Sequence, residues 1–376
     1  MEKTTIRRRE RGNLPTRRLL CRALALALPL VLAGSTALVH GQAVITVNEN
    51  VNFKLGVLGQ FQAEWLENLV TDDNTPNLFA RRVRLLFGGQ VAKGVTFFVE
   101  TDVPNLGRHV PGGSKNISPG AIVQDAFATF QAPRWLALDA GLMFVPFSRS
   151  SIQSAATLLP IDYGAYTFTQ SGPTQSSIGR DTGFQARGYL HGNRLEFRLG
   201  AFQGAQVPDP DRSLRFTGRV QYQLLEAEGT GFFYTGTYLG TKRVAAIGAA
   251  FDTQDDYRAY DLDLFIDHPA GPGAVTAQVV YNRFDGRDTF LTLPKQDVVT
   301  VELGYFLPGL KLSPVLQVAR RDSDGPLPGD ETRWSIGVNY WLQRHNANIK
   351  AAYGRIDPSG LAARDQFTIQ LQVFYF

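Results

Sequence analysis

The sequence predicts an all-β fold: a transmembrane antiparallel β-barrel of about sixteen strands, with a long third outer loop folded into the lumen. Three observations carry this. Apolar and polar residues alternate with a period of two from Val51 to the end of the chain. The alternating runs are about ten residues long, which suits a tilted crossing of a bilayer and exceeds the five or six usual in soluble strands. An export-type leader precedes them.

The leader has a basic start (Arg7, Arg8, Arg9, Arg11, Arg17, Arg18, Arg22), an apolar run from Ala23 to Leu32, and small residues at Gly41 and Ala43. Cleavage is expected after Ala43, leaving 1–43 as a signal peptide and 44–376 as one barrel domain. Cys21 precedes the apolar run and follows Leu20, which argues against a lipid anchor. The strongly apolar run favours ordinary secretion over the twin-arginine route that Thr16-Arg17-Arg18 faintly suggests. Losing 1–43 removes eight basic and two acidic residues from the 38 and 34 present, so the net charge moves from +4 to −2. Basicity therefore gives no support to a nucleic-acid partner. The only cysteine leaves as well, which excludes a disulfide scaffold. Beyond the leader no long uncharged apolar run exists, which excludes a helical membrane protein.

The first strand places Val51, Phe53, Leu55, Val57, Phe61, Ala63 and Trp65 on one face, and Asn52, Lys54, Gln60, Gln62 and Glu64 on the other. Such alternation gives a strand one apolar and one polar face. The pattern returns at Val83, Leu85 and Phe87 opposite Arg82 and Arg84, and at Phe216, Val220 and Tyr222 opposite Arg215, Arg219 and Gln221. It returns again at Trp334, Ile336, Val338 and Tyr340, and in the last strand at Phe367, Ile369, Leu371, Val373 and Tyr375. Aromatics such as Trp65, Trp135, Tyr340 and Tyr375 gather at strand ends, where interfacial girdles belong. Phe376 stands one step out of the apolar phase.

Short turns near 92–94, 132–133, 191–193, 270–273, 308–309 and 345–346 alternate with long connections at 66–77, 103–120, 145–179, 204–212, 284–296, 322–331 and 357–365. Seventeen segments read as strands if Gly231 to Leu239 is included. An even count is required when both ends of such a barrel lie in the periplasm. Residues 226–242 are therefore expected to be an extended periplasmic connection, leaving sixteen strands.

A barrel of that size encloses a water-filled lumen. The loop over 145–179, with Pro146, Phe147, Ser148, Arg149 and Asp162, is long enough to fold inward and narrow it. Inward faces carry Lys54, Arg82, Arg84, Arg187, Arg198, Arg215, Arg219 and Arg333 against Glu64, Glu100, Asp125, Asp139, Asp181, Glu196, Asp261, Asp263 and Glu302. Opposed rows of this kind filter solutes by charge. Nothing in their own strands neutralises the pairs Arg82/Arg84 and Arg215/Arg219, so these are the expected anion contacts. The four histidines after the leader (His109, His191, His268, His345) show no nucleophile–base spacing, and there is no metal-ligand cluster or phosphate loop, so neither an enzyme nor a cofactor is expected. An outer-membrane barrel enzyme and a secreted β-sandwich binding module are the competing classes.

Five stretches also resemble the phosphate-selective porin O and P family of Gram-negative outer membranes: 79–89 (FARRVRLLFGG), 141–148 (GLMFVPFS), 179–185 (GRDTGFQ), 304–310 (GYFLPGL) and 337–342 (GVNYWL). The resemblance implies a trimeric passive channel in the outer-membrane lipid, with an inward third loop. It also implies transport of small hydrophilic or anionic solutes, phosphate among them, along an arginine-lined path with a lysine cluster. Arg149 would be a constriction residue. The chain departs from that pattern in its lysines, of which seven follow the leader and all are scattered, so phosphate selectivity is not expected from the resemblance alone.

Overall fold

A computed structural model describes residues 43–69, 73–109, 113–118, 120–131, 133–209, 211–229, 231–325 and 329–376. The expected signal peptide lies outside them except for Ala43. Among the described residues there are seventeen strands: β1 (Ala43–Asn48), β2 (Val51–Glu67), β3 (Asn74–Ala92), β4 (Val95–Asp102), β5 (Ile122–Gln131), β6 (Leu136–Phe144), β7 (Arg180–Leu190), β8 (Leu195–Phe202), β9 (Arg215–Gln223), β10 (Val244–Gln254), β11 (Tyr257–Ala270), β12 (Gly273–Asp285), β13 (Gln296–Phe306), β14 (Leu312–Ser323), β15 (Glu331–Gln343), β16 (Ala347–Pro358) and β17 (Arg364–Tyr375). From β2 to β17 each strand pairs antiparallel with its chain neighbours. β17 pairs back onto β2, with Gln366 opposite Leu66 and Tyr375 opposite Val57, so sixteen strands close a barrel. Closure leaves no row of unpaired backbone groups facing lipid.

β1 is the strand the alternation did not reveal. It pairs with the start of β2, Ala43 opposite Leu55 and Asn48 opposite Val51, and so continues the line of β17 along the same edge. The two chain segments together flank the whole of β2.

The faces follow the predicted phase. Leu85, Phe184 and Leu199 are exposed on the outer wall at 65, 72 and 55 %, while Gln60, Arg82, Arg84, Arg215 and Arg219 are buried inside. Gly141 shows how tightly the wall is built: a Cβ there would lie 2.2 Å from the carbonyl oxygen of Ala126 on β5. Its φ of +132° is one that side-chain-bearing residues rarely adopt.

The loop over 145–179 folds into the lumen. Ser148 caps its single helical turn (Arg149–Ile152), the Ser148 hydroxyl accepting from the Ser151 amide and the Ser151 hydroxyl accepting from the Ser148 amide. Wall side chains then satisfy its carbonyls. Gln60 donates to Ala155 at 3.1 Å, Asn339 to Leu159 at 2.7 Å, and Lys350 to Leu158 and Pro160 at 2.6 and 2.9 Å.

The described residues of segment 226–242 form no strand, as the parity argument requires, but they do not extend away from the barrel. The segment enters the lumen and packs against the underside of the inward loop. The Tyr234 amide donates to Ile152 and the Ser154 amide to Tyr234, and Gly236 donates to the Thr157 hydroxyl. Asp267 of β11 anchors it by accepting from the amides of Tyr238 and Gly240 and the hydroxyl of Thr237. The physical reason is its content. Phe232, Phe233, Tyr234 and Tyr238 need burial, and Phe232 finds the Phe127 ring at 4.3 Å.

His345, in the turn between β15 and β16, also holds this segment, donating from Nε2 to the Thr237 carbonyl at 2.9 Å. Burial, helped by the charges of Lys350 and Arg344, pushes its imidazole down to about 4, against the opposing hydrogen bond. The unfolded chain therefore binds the proton first, and stability contributed by neutral His345 is lost as pH falls from about 6.5 towards 4. We expect the melting temperature to drop more between pH 7.5 and 4.5 in the native protein than in His345→Gln. Equal drops would show that this imidazole is not linked to folding.

Candidate functional site

The lumen above the inward loop is a vestibule of about 400 Å³. Its wall on β3 carries an irregularity that sets its chemistry. Gln60 of β2 pairs with Arg82, but the next residue, Phe61, pairs with Ala80, so Arg81 has no partner of its own. Such a bulge re-aims a side chain. Arg81 and Arg82 both turn inward and both grip Asp162 of the inward loop, at 2.7 and 2.6 Å. Burial would raise the Asp162 carboxyl, but the two guanidinium groups outweigh it and hold it well below the usual carboxylate range. Strict alternation with Arg82 and Arg84 would put Arg81 on the lipid face. An arginine there costs about 2–4 kcal/mol at the bilayer midplane.

The other arginines singled out from the sequence are all paired. The strands of the pairs Arg82/Arg84 and Arg215/Arg219 hold no counter-charge, as expected, but other strands and connections supply it; Arg198 meets an acid of its own strand, β8. Arg84 meets Glu100 and Asp102 of β4 at 2.7 and 2.9 Å. Arg187 meets Asp139 at 2.8 Å, and Arg198 meets Glu196 at 2.7 Å. Arg215 meets Asp252 at 2.5 Å, and Arg219 meets Asp261 and Asp263 at 3.2 and 2.5 Å. Arg82 and Arg84 line the vestibule, although only 3 and 5 % exposed, whereas Arg198, Arg215 and Arg219 do not line it. The Arg187 side chain is 12 % exposed.

Arg149, the constriction residue implied by the family resemblance, is corrected by the structure. It is fully buried and does not line the vestibule. It forms a two-pronged pair with Glu228 of segment 226–242, 2.7 Å on each prong, and its guanidinium stacks 3.7 Å from the Phe265 ring centroid. Pro146, Phe147 and Ser148 stand at the root of the loop, not at its opening: Phe147 packs on Phe284, and Ser148 caps the helical turn. Asp162 is the predicted loop residue that faces the vestibule, beside Tyr163.

No curated protein sequence matches the chain. Among solved structures, OmpF of Salmonella typhi in complex with daunomycin superposes with a TM-score of 0.59 at 15 % identity, covering 88 % of this chain and all of that one. A loop-deletion mutant of OmpT, an outer membrane protein of Vibrio cholerae, superposes with a TM-score of 0.55 at 12 % identity, covering 87 % of this chain and all of that one. At these identities the likeness concerns the fold. A family model described as Gram-negative porin matches residues 23–376, nearly the whole sequence. The chain belongs to the Gram-negative porin family.

Proposed function

We propose that this porin is a passive diffusion channel of the outer membrane for small hydrophilic solutes, with a mild preference for anions. The observation that carries the preference is an imbalance at the vestibule surface. Seven arginines line it, Arg81, Arg82, Arg84 and Arg108 among them, against three carboxylates: Glu64, Asp102 and Asp162. Asp125, the acid behind Arg180, lies fully buried and does not line the vestibule. Facing charge biases the ions that enter a pore.

Arg82 and Arg84 are assigned to solute contact. Arg149, Arg198, Arg215 and Arg219 are assigned to bracing the wall and the inward segments, because they do not line the vestibule and are enclosed with their partners. Orthophosphate is one of the anions expected to pass, but nothing favours it over others. Lys350, the buried lumen lysine, is engaged by loop carbonyls. Export by a signal removed after Ala43, contact with lipid through the apolar outer wall, and assembly as a homotrimer complete this reading.

The test is the reversal potential of single channels in a potassium chloride gradient. Native protein should show a chloride-favouring sign. Arg82→Gln with Arg84→Gln removes two cations and uncovers Asp162, Glu100 and Asp102, so the anion/cation permeability ratio should fall below one. An unchanged reversal potential would remove these residues from the ion path. Folded protein without conductance would sink the channel itself.

A further inference from the structure

Beneath the vestibule lies a second cavity of about 80 Å³, and Arg84, Tyr163 and Arg180 line both. Its floor departs from the polar lumen that alternation implies. Phe98 of β4, Phe374 and Phe376 at the end of β17, Phe144 at the end of β6, and Phe233 of the inward segment converge there. The Phe98 ring lies 5.4 Å from Phe233 and 5.6 Å from Phe376, and Phe144 lies 5.7 Å from Phe233. Arg180 sits 3.5 Å over the Phe144 ring, joining the cationic end of the path to the aromatic end. The out-of-phase Phe376 thus belongs to the inner face.

The upper cavity carries a second sign of a ligand. Glu100 of β4 pairs with Asp125, but Thr101 pairs with Val123, so Gln124 is the extra residue of another bulge. It turns inward beside Asp125, is 3 % exposed and lines the vestibule, yet neither its amide oxygen nor its amide nitrogen has a hydrogen-bond partner. A buried amide is costly to leave unpaired, and bulges recur where a side chain must be aimed. Nearby, Arg84 uses Nε on Asp102 and Nη1 on Glu100, while its Nη2 makes no hydrogen bond among the described residues.

We propose that the two cavities form a subsite for small carboxylate anions that bear an aromatic ring. The carboxylate takes the free donors of Arg84 and Gln124, and the ring enters the phenylalanine cluster. Glu100, Gln153 and Ser154 also line the lower cavity, but an inorganic anion or a sugar would leave the phenylalanine cluster uncovered. The inference rests on the lumen being the diffusion path proposed above.

The experiment compares benzoate with acetate on the full chain folded in detergent, by calorimetry and by block of single-channel chloride current. Benzoate should bind about tenfold tighter than acetate, a gap of the size that ring burial gives. Phe98→Ser with Phe233→Ser should bring the two acids together, and Gln124→Leu should weaken both. Equal affinity in the native protein, or a preference that survives the double serine variant in protein that still shows heat-modifiable gel migration, overturns the subsite. Benzoate binding without conductance would keep the subsite and sink the channel reading. Conductance without preference would do the reverse.

Discussion

Replacing residues 227–242 with Asn-Gly raises single-channel conductance about two- to threefold, the change expected when a lumen-filling segment is removed from a wide barrel. The chain is already prepared for the shortcut. The Leu224 amide donates to Ala245 at 2.7 Å and the Glu226 amide to Arg243 at 2.9 Å, so β9 and β10 remain in hairpin register until the segment departs. A two-residue turn of this type closes such a hairpin without strain. The excision takes Phe232, Phe233, Tyr234 and Tyr238 out of the lumen and leaves the inward loop without its underside. It would also strand the Arg149 charge, so the variant should carry Arg149→Met. Planar-bilayer recordings decide the matter. A conductance equal to that of the native channel would mean that current runs entirely along the opposite wall and that the segment narrows nothing.

How much of this lumen could be read beforehand depends on which residues are considered. Alternation assigned the two faces of the barrel correctly because lipid and water impose opposite demands on adjacent side chains. Parity removed Gly231 to Leu239 from the strand count although those residues look strand-like by themselves. What parity could not give was the segment's destination. That depends on Glu228 and Arg149, 79 positions apart in the chain, meeting inside a barrel that must first exist. Its four aromatics between 232 and 238 were the available signal, since a solvated connection has no use for them.

The arginines show the same limit. Their inward phase was legible, and so was the absence of counter-charge in the strands of Arg82/Arg84 and Arg215/Arg219. The partners come from the next strand in the register, as Asp252 does for Arg215, or from an inward loop, as Asp162 does for Arg82. Register and loop path are tertiary quantities that one sequence does not state. The two bulges at Arg81 and Gln124 break alternation itself, and each brings to the vestibule a polar side chain that strict phase would put on the lipid side.

Glu228→Ala carries the second large effect, a loss of about 3–5 kcal/mol in unfolding free energy, the cost of leaving a buried charge without its partner. Arg149 would lose both prongs of its pair. The hydroxyl of Tyr238 and the side-chain amide of Gln221 would lose their acceptor in the same enclosed space. Burial pushes the Glu228 carboxyl up, but Arg149 and the converging hydrogen bonds overcome this and hold it below the ordinary value. The pair's contribution is therefore complete above the unfolded carboxyl's pKa and is lost only as pH falls below it. A charge effect can be told from a packing effect by removing both partners. Arg149→Met with Glu228→Leu fills the space and leaves nothing to neutralise, and such replacements are often neutral or stabilising. Urea unfolding followed by gel mobility should place the double variant near the native protein and well above Glu228→Ala. A double variant as weak as the single one would mean that the contact holds the two inward segments together by shape, with the ion pair incidental. A single variant as stable as the native protein would mean that water reaches Arg149 and that the segment is not packed as closely as its burial implies.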